Sequence, residues 1–323
     1  MPSVYITSQI PQIGINLLKQ KGFTVETNNS GKYLTKDQLK NVFYRYNAVL
    51  IMMTDKIDMD ILKSASSNLK VIANYAVGYD NIDVLDAKRK GIIVTNTPGV
   101  ASESVAEHTF LLIFAASKKL IEADKFVRLG KYQKWDPMSF LSSQIWGKTI
   151  GIIGLGKIGV FVGQIAYSGL RMKILYYDIA RAEDFELLTE AKFTSLDQLL
   201  KEADIITIHC PLTEKTRHLI GNEQFDLMKK SAILINTARG PIIDENALIE
   251  ALKNGKIAAA GLDVFEFEPQ ISEELLKLPN VVLTPHIASA TVETREAMSR
   301  IAAENIIAVF EGKEPYGLVK TLP

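Results

Sequence analysis

The most constraining stretch of the sequence covers residues 149–178, TIGIIGLGKIGVFVGQIAYSGLRMKILYYD. A short apolar run leads into a glycine-rich turn, a helical pattern follows, and a second apolar run ends on Asp178. The turn consists of Gly154, Leu155, Gly156, Lys157, Ile158 and Gly159. The order of strand, glycine-rich turn, helix, strand and acid predicts a βαβ unit that binds a dinucleotide.

Each glycine of this turn has a separate predicted role. Gly154 permits the tight turn, Gly156 lets the backbone approach a pyrophosphate, and Gly159 lets the helix pack closely on its strand. The first N–H groups of the helix and its positive dipole end face the phosphates. Asp178 is expected to accept hydrogen bonds from the adenosine ribose hydroxyls. An ordinary turn is the alternative, but the flanking strands and the acid about twenty residues on favour dinucleotide binding.

Length and composition limit the classes of protein to which the chain can belong. Its 323 residues fit two domains. The formal net charge of +0, from 37 basic and 37 acidic residues, argues against a nucleic-acid-binding surface. The single cysteine, Cys210, leaves no internal disulfide framework and fits a reducing compartment. The first residues lack the pattern of a signal peptide, and the longest apolar stretch, 110–116, is too short to span a bilayer. We therefore expect a cytoplasmic protein whose partners include neither a membrane nor a nucleic acid.

Short strands and helices alternate on both sides of the glycine-rich turn. The predicted strands before it are residues 4–7, 48–53, 70–74 and 92–95, and those after Asp178 are 205–209, 233–237, 258–264 and 281–284. Such alternation predicts parallel sheets covered on both faces. The expected fold class is α/β with two doubly wound parallel-sheet domains. A Rossmann dinucleotide-binding domain of about six strands is inserted into a smaller, flavodoxin-like substrate domain.

The domain boundaries follow from this order of elements. Residues 1–99 are expected to form the first part of the substrate domain, and residues 100–287 the dinucleotide-binding domain. Residues 288–323 are expected to be a return helix and tail that pack on the substrate domain. Hinges for domain closure are expected near Val100 and Ala288.

A long apolar segment follows the first of these boundaries. Residues 102–129 predict one helix with apolar side chains on nearly all of its faces. Such a helix must be buried, and a second subunit is one way to bury it, so we expect a homodimer. Residues 130–146, GKYQKWDPMSFLSSQIW, predict a loop rich in aromatic side chains.

Three polar residues, Arg239, Glu268 and His286, follow successive predicted strands at the edge where open α/β sheets bind ligands. The planar fork of an arginine grips a carboxylate, and a histidine transfers one proton near neutral pH. A neighbouring carboxylate favours the imidazolium form. Together these groups suit hydride transfer to a 2-oxo acid. Taken singly, each fits a structural role equally well, as a turn arginine, one of several acids or a core histidine, so the functional interpretation depends on the set.

Over essentially its whole length, the chain resembles the D-2-hydroxyacid dehydrogenases. The matching stretches are NYAVGYDNID at 74–83, TNTPG at 95–99, VAE at 105–107, the glycine-rich turn, HCPLT at 209–213 with Thr216, NTARG at 236–240, GLDVF at 261–265 with Glu268-Pro269, and TPHIAS at 284–289. The resemblance implies that Arg239 binds the substrate carboxylate, that His286 is the catalytic acid/base, and that Glu268 orients and charges His286.

The resemblance also implies the cofactor, NAD(H), and the residues that bind the ligands. The backbone N–H groups of Ala76, Val77 and Gly78 are expected to bind the substrate carboxylate together with Arg239 and His286. Besides the glycine-rich turn and Asp178, the expected cofactor contacts are Val105, Cys210, Pro211, Thr216, Thr237, Ala238, Arg239, Asp263, His286 and Ala288. No group of Cys, His, Asp and Glu residues has the spacing of metal ligands, so no metal is expected.

Within the family, the chain looks most like the glyoxylate and hydroxypyruvate reductases. The similarity lies in NYAVGYDNID, in VTNTPG at 94–99, and in Trp135-Asp136-Pro137 with Phe140-Leu141. The expected reaction is the NADH-dependent reduction of glyoxylate or hydroxypyruvate to the 2-hydroxy acid. In that branch, the loop around Trp135 is expected to reach the substrate site of the partner subunit. An aromatic loop that only packs the interface is an equally good interpretation.

Two departures from related branches refine this expectation. Members that prefer the phosphorylated cofactor carry a small or basic residue in place of Asp178, whose charge would repel a 2′-phosphate. We therefore expect a preference for NADH, against which the nearby Arg181 argues. Phosphite-oxidising relatives carry a lysine where this chain has Val77, which disfavours that branch.

Other functions stay open at this point. A 3-phosphoglycerate or D-lactate dehydrogenase is the alternative within the family, although the former needs cationic residues for the substrate phosphate. A non-enzymatic NADH sensor of the corepressor type could retain all three polar residues, and the near-zero charge disfavours it only mildly. Cys210 is expected to line the adenine side of the cofactor cleft rather than act as a nucleophile. Three histidines, His108, His209 and His218, are expected to pack at strand ends.

Overall fold

The computed structural model describes residues 1–320, which fold into two compact units. The first unit comprises Met1–Ala101 and the chain from Ala290 onward, and the second comprises Ser102–Ser289. The chain crosses between the units two residues later than the expected boundaries at 99/100 and 287/288. Within residues 1–320, no helix is long and apolar enough to cross a membrane.

The first unit contains a five-stranded parallel sheet. Its strands are β1 (Ser3–Ile6), β2 (Thr24–Thr27), β3 (Ala48–Ile51), β4 (Val71–Asn74) and β5 (Ile93–Thr95), in the spatial order β2-β1-β3-β4-β5. This is the flavodoxin-like order, as expected from the sequence. Strand β2 was not predicted, because it is an edge strand with only one apolar residue, whereas the apolar runs of β3 and β4 are buried throughout.

Helices cover this sheet and include the last helix of the chain. They are α1 (Gln12–Gln20), α2 (Lys36–Arg45), α3 (Met59–Ser64), α4 (Val84–Arg89) and α13 (Val292–Phe310). Helix α2 begins at a capping box in which Thr35 and Gln38 bond each other's backbone N–H groups. Helix α13 packs against α1 so closely that a Cβ added to Gly14 would lie 2.3 Å from the carbonyl oxygen of Ser299. The expected return helix therefore lies on the first unit.

The second unit contains a seven-stranded parallel sheet. Its strands are β6 (Thr149–Ile153), β7 (Lys173–Tyr177), β8 (Lys192–Phe193), β9 (Ile205–Ile208), β10 (Ile233–Asn236), β11 (Ala259–Leu262) and β12 (Val281–Leu283). The spatial order β12-β11-β10-β9-β6-β7-β8 is that of a Rossmann sheet, with its switch point between β6 and β9. The additional strand, β8, is a two-residue edge strand too short to leave a sequence pattern.

The helices of the second unit pack on both faces of this sheet. They are α5 (Ser102–Ser117), α6 (Leu120–Arg128), α7 (Lys157–Leu170), α8 (Glu183–Thr189), α9 (Leu196–Glu202), α10 (Asn222–Leu227), α11 (Glu245–Lys253) and α12 (Glu273–Lys277). Two clusters of buried apolar residues form the core, and α5 and α7 contribute to the same one. Because helices bury both faces of the sheet, β9 and β10 consist mainly of apolar residues and do not alternate between polar and apolar side chains.

The prediction of a single buried helix over residues 102–129 is wrong. The segment is divided between α5 and α6 at Lys119, whose φ of 55° places it in the left-handed region. Helix α5 is largely buried, but α6 has no buried residue, and Ile121 and Val127 are each 58% exposed. The sequence carries no glycine at the break, and Lys118 and Lys119 are ordinary helix-forming residues. Among the described residues, Phe140 packs on Phe126 of α6, whereas Ile121 and Val127 remain exposed.

Candidate active site

The predicted site residues of the second unit follow the strands of one parallel sheet. The glycine-rich turn follows β6, Asp178 follows β7, and Cys210 comes shortly after β9. Arg239, Glu268 and His286 come after β10, β11 and β12, which are hydrogen-bonded neighbours in that order. Because all these strands are parallel, their carboxyl ends meet at the same edge of the sheet.

The glycine-rich turn has a separate steric requirement at each glycine. Gly154 has a φ of +94°, and a Cβ there would lie 2.5 Å from the amide nitrogen of Cys210. A Cβ on Gly159 would lie 2.3 Å from the carbonyl oxygen of Gly154, so the helix can approach its strand only with glycine there. A Cβ on Gly156 would have no neighbour within 4 Å, which leaves open space above its backbone. These properties fit the tight turn, the close helix packing and the approach of a pyrophosphate.

Helix α7 begins at this turn with no side-chain cap. Its N-cap residue is Gly156, so no side chain accepts a hydrogen bond from the first-turn N–H groups. Fourteen residues long, the helix directs its positive dipole end towards the same point. An anion such as a phosphate is the ligand that such a terminus binds.

Asp178 lies beside the turn and is oriented by it. Its Oδ2 accepts a hydrogen bond of 2.6 Å from the N–H of Leu155, and its Oδ1 accepts one of 2.6 Å from the N–H of Ile179. The carboxylate is therefore held at the end of β7, where a nucleotide ribose lies in this fold.

The nearby Arg181 is engaged by another carboxylate. Its guanidinium forms a fork with Glu186, with N···O distances of 2.6 and 2.9 Å. The hydrogen bonds from Arg181 and from the Tyr176 hydroxyl lower the pKa of Glu186 to about 2, so this partner is ionised at neutral pH. The arginine that argued against an NADH preference is thus already ion-paired.

His286 and Glu268 are in direct contact. The distance between His286 Nδ1 and Glu268 Oε2 is 2.8 Å, and the other oxygen of Glu268 accepts a 2.8 Å hydrogen bond from the N–H of Phe265. The His286 side chain is 25% exposed and its backbone has a φ of 55°. Since Nδ1 faces the carboxylate, Nε2 is the nitrogen that can transfer a proton to a substrate.

Asp263 fixes the turn that carries His286. Its fully buried carboxylate accepts hydrogen bonds from the Thr284 hydroxyl at 2.6 Å and from the N–H groups of Ile287 and Ala288 at 2.8 Å each. Burial alone would raise the pKa of Asp263, but hydrogen bonds from His108, Thr284 and the two amides together lower it. Asp263, predicted as a cofactor contact, is therefore an ionised anchor for residues on both sides of the His286 turn.

His108 joins this anchor from α5, and its role was missed from the sequence. Its Nε2 lies 3.0 Å from the Thr284 hydroxyl and 3.4 Å from Asp263 Oδ1. His108 lies in helix α5 and packs against Thr284, the residue directly after β12, so it packs at a strand end as expected. The available signal was its position directly after the VAE motif at 105–107.

The turn that carries Arg239 packs directly on the segment that leads to Glu268. The side chain of Asn236 spans this turn, donating to the carbonyl of Arg239 at 2.9 Å and accepting from the N–H of Ala238 at 3.0 Å. A Cβ on Gly240 would lie 1.9 Å from the carbonyl carbon of Phe265. Only glycine allows this approach, which brings the Arg239 turn next to the backbone that holds Glu268.

Several residues that were predicted to contact the cofactor form hydrogen bonds with other residues of the chain. The Thr237 hydroxyl lies 3.1 Å from that of Thr109, which donates to the carbonyl of the buried Val105. The Thr216 hydroxyl donates to the carbonyl of Pro211 at 2.7 Å and so shapes the loop after Cys210. Ala238 is partly buried and Ala288 is buried. Burial raises the pKa of the Cys210 thiol to about 11, which disfavours a nucleophilic thiolate.

The two remaining histidines differ from each other. His209 packs at the end of β9 as expected, with Nε2 2.8 Å from the Thr207 hydroxyl, and burial lowers its pKa to about 3. His218 does not lie at a strand end, contrary to expectation. It lies in the loop before α10, 2.6 Å from Glu266 Oε1. Within residues 1–320, no group of three or more His, Cys, Asp and Glu side chains could hold a metal ion.

The 76–78 loop belongs to the first unit and follows β4. Its three carbonyl groups are all bonded: Ala76 O to the N–H of Thr97 at 2.9 Å, Val77 O to Asn96 Nδ2 at 2.7 Å, and Gly78 O to Asn74 Nδ2 at 2.8 Å. Within the described part of the chain, no acceptor bonds the N–H groups of Ala76, Val77 and Gly78. The loop thus offers donors to an anion.

Comparison with known proteins identifies similar chains over the full length. The sequence profile described as "D-isomer specific 2-hydroxyacid dehydrogenase, NAD binding domain" matches residues 110–288. A glyoxylate reductase of Thermococcus litoralis is 47% identical over 322 residues, which cover 98% of this chain and 96% of the relative.

Solved structures show the same similarity. A crystal structure of a Thermus thermophilus protein superposes with a TM-score of 0.92 at 38% identity, covering 98% of this chain and 100% of the other. An NADPH-dependent glyoxylate/hydroxypyruvate reductase from Sinorhizobium meliloti, in complex with NADP and malonate, has a TM-score of 0.87 at 30% identity and covers 98% of this chain and 96% of its own.

Proposed function

The chain belongs to the D-isomer specific 2-hydroxyacid dehydrogenase family, and on that basis we propose that it reduces glyoxylate and hydroxypyruvate to the 2-hydroxy acids with NADH. The observation that carries the proposal is the 2.8 Å pair of His286 and Glu268 beside the Arg239 turn. The glyoxylate reductase of Thermococcus litoralis, which matches nearly all of this chain, supports the choice of substrate.

The second unit binds NAD(H), as the match to the NAD-binding domain of the family indicates. In our proposal, the glycine-rich turn and the first turn of α7 hold the pyrophosphate, and Asp178 binds the adenosine ribose. When bound, the nicotinamide supplies the hydride that adds to the carbonyl carbon of the substrate.

The side chains of the chain supply the remaining steps. Arg239 binds the substrate carboxylate through its planar fork, and the free N–H groups of the 76–78 loop are proposed to bind a carboxylate as well. Protonated His286 gives the Nε2 proton to the carbonyl oxygen as the carbon gains the hydride, so that the substrate takes up one hydride on carbon and one proton on oxygen. The carboxylate of Glu268 stabilises the imidazolium before the transfer and orients the ring.

The cofactor preference gives a testable prediction at Asp178. The wild-type protein is expected to have a higher kcat/KM with NADH, because the carboxylate would face the 2′-phosphate of NADPH. Asp178→Ala should raise kcat/KM with NADPH by about 10–100-fold, since like charges at contact cost a few kcal/mol at an effective dielectric of about 20. Steady-state kinetics with both cofactors measure this change.

A second variant tests the contribution of Arg181 to the cofactor preference separately from that of Asp178. Glu186→Gln releases Arg181 from its ion pair and should also improve the use of NADPH, by less than Asp178→Ala. Asp184→Asn, at an exposed acid on α8, is the matched control and should leave the preference unchanged. A wild-type protein that prefers NADPH would contradict the proposed role of Asp178.

We also propose that two copies of the chain form a homodimer through α6 and residues 130–146. Trp135, Met138 and Leu141 in that segment are 75, 70 and 58% exposed, and Phe140 of the same segment packs on Phe126 of α6. Contiguous exposed apolar surface of this kind supports an interface with another protein chain. Whether Trp135 also reaches the partner's substrate site stays a prediction, as does the cytoplasmic location.

Light scattering measures the predicted dimer. The wild-type protein should have twice the mass of one chain, and Ile121→Asp should shift it to the monomer, because a charge in an apolar interface is unpaired. Leu187→Asp, at an 83% exposed residue of α8, is the control and should remain dimeric. A monomeric wild-type protein would refute the proposal.

The activity itself is tested by the loss of NADH absorbance with glyoxylate, hydroxypyruvate, phosphohydroxypyruvate and pyruvate. Rapid turnover of the first two supports the proposal. Turnover restricted to phosphohydroxypyruvate or pyruvate would instead assign another branch of the family. Tight NADH binding without turnover of any acid would refute a reductase and favour a sensor.

A further inference from the structure

The last described residues of the chain lie along the edge of the first unit's sheet. Gly317 O accepts a hydrogen bond of 2.9 Å from the N–H of Asn96, and the N–H of Val319 donates to Val94 O at 3.0 Å. Thr95 and Leu318 form an antiparallel bridge. Residues 317–319, here termed the tail segment, thus continue the sheet beyond β5.

A buried asparagine on α13 joins the tail segment to Asn96. The side-chain amide of Asn305, which is 1% exposed, donates from Nδ2 to Asn96 O at 2.9 Å and accepts at Oδ1 from the N–H of Gly317 at 2.9 Å. A Cβ on Gly317 would lie 2.0 Å from Asn96 O and 2.6 Å from Asn305 Nδ2. The arrangement therefore requires glycine at 317.

Asn96 transmits this arrangement to the 76–78 loop. Its backbone is bonded on both sides, through its N–H to Gly317 and through its carbonyl to Asn305. Its side chain then donates from Nδ2 to Val77 O at 2.7 Å. A trans peptide is planar, so the N–H of Gly78 points opposite to the carbonyl of Val77. By holding that carbonyl, Asn96 sets the direction of the Gly78 N–H.

We propose that Asn96 is a positioning residue for the substrate carboxylate and that Asn305 and the tail segment hold it in place. The inference rests on the proposed function, because the N–H groups of the 76–78 loop bind the carboxylate only if the protein takes a 2-oxo acid. It adds that the tail segment, more than 200 residues from the loop in sequence, contributes to substrate affinity.

The variants Asn96→Ala and Gly317→Ala test this proposal. Asn96→Ala removes the donor to Val77 O, and the KM for glyoxylate should rise about three- to tenfold, the effect of one preorganising hydrogen bond. The kcat should change less, and the Kd for NADH should remain unchanged, because no cofactor contact is altered. Gly317→Ala should raise the KM in the same direction by displacing Asn96.

The matched control is Thr95→Val, one residue before Asn96. The Thr95 hydroxyl is buried and has no hydrogen-bond partner within the described residues, so its removal should leave KM and stability unchanged. If Gly317→Ala does not fold, the KM of Asn96→Ala alone tests the proposal. An unchanged KM in Asn96→Ala, or a parallel loss of NADH affinity, would overturn the proposal.

Amide hydrogen exchange separates this inference from the proposed function. If the wild-type protein reduces no 2-oxo acid, the proposed function fails, but the positioning of the loop is still measurable. Exchange of the Thr97 N–H, which donates to Ala76 O, should be faster in Asn96→Ala than in the wild type and unchanged in Thr95→Val, because the loop is held less firmly without Asn96. Equal exchange in all three proteins would refute the role of Asn96.

Discussion

Replacing His286 with alanine is expected to lower kcat for glyoxylate reduction by about 10²–10⁴-fold, the usual contribution of a general acid. The variant loses the only side chain that we propose to protonate the carbonyl oxygen. NADH should bind with nearly the wild-type Kd, because the glycine-rich turn and Asp178 are unchanged. Stopped-flow or steady-state kinetics give kcat, and fluorescence titration gives the Kd for NADH.

A second histidine–glutamate pair in the same unit provides the control. His218 lies 2.6 Å from Glu266 and, like His286, has a positive φ, but no role in proton transfer is proposed for it. His218→Gln should therefore retain kcat within about twofold. A near-normal rate in His286→Ala, or equal losses in the two variants, would contradict the assignment of His286.

Arg239→Gln is expected to lower kcat/KM for glyoxylate by about 10²–10³-fold. The substitution removes one partner of a hydrogen-bonded charge pair, which costs about 2–5 kcal/mol when the remaining charge is left unpaired. Arg239→Lys keeps the charge but loses the planar fork, so a smaller loss is expected. Steady-state kinetics measure kcat/KM for all three proteins.

The control for the charge is Arg300→Gln, at an exposed arginine on α13 outside both proposed binding sites. It should leave kcat/KM unchanged. The pattern expected for carboxylate binding is a smaller loss for lysine than for glutamine, with NADH affinity preserved. If Arg239→Gln weakened NADH binding as much as it weakened substrate use, the proposed role of Arg239 would be wrong.

The parts of the fold that the sequence predicted are those set by local sterics. Gly154 has a positive φ at the turn and Gly159 packs on Gly154 within one strand–turn–helix unit, so the nucleotide turn was readable from its spacing together with the flanking strands and Asp178. The apolar runs of β9 and β10 are fully buried in the sheet, and their ends indicated where Arg239 would lie. Such features involve residues close together in sequence.

The features that were missed are a short edge strand of the sheet, a helix break without a local signal, and contacts between residues far apart in sequence. Strand β8 is two residues long, and the break between α5 and α6 falls on Lys119 without a glycine or proline signal. His108 reaches Thr284 across 176 residues, and Asn305 reaches Asn96 across 209. No periodicity or spacing in the sequence indicates which distant polar groups will meet in the folded chain.

The proposed reaction transfers a hydride to the carbonyl carbon of a 2-oxo acid, and membership of the D-isomer specific family leads us to expect the D-isomer as the product. The most direct measurement is the reduction of hydroxypyruvate with NADH deuterated at C4, followed by chiral analysis and mass spectrometry of the product. We expect D-glycerate with one deuterium at C2. A product without deuterium at C2, a mixture of both isomers, or no product at all would contradict this expectation.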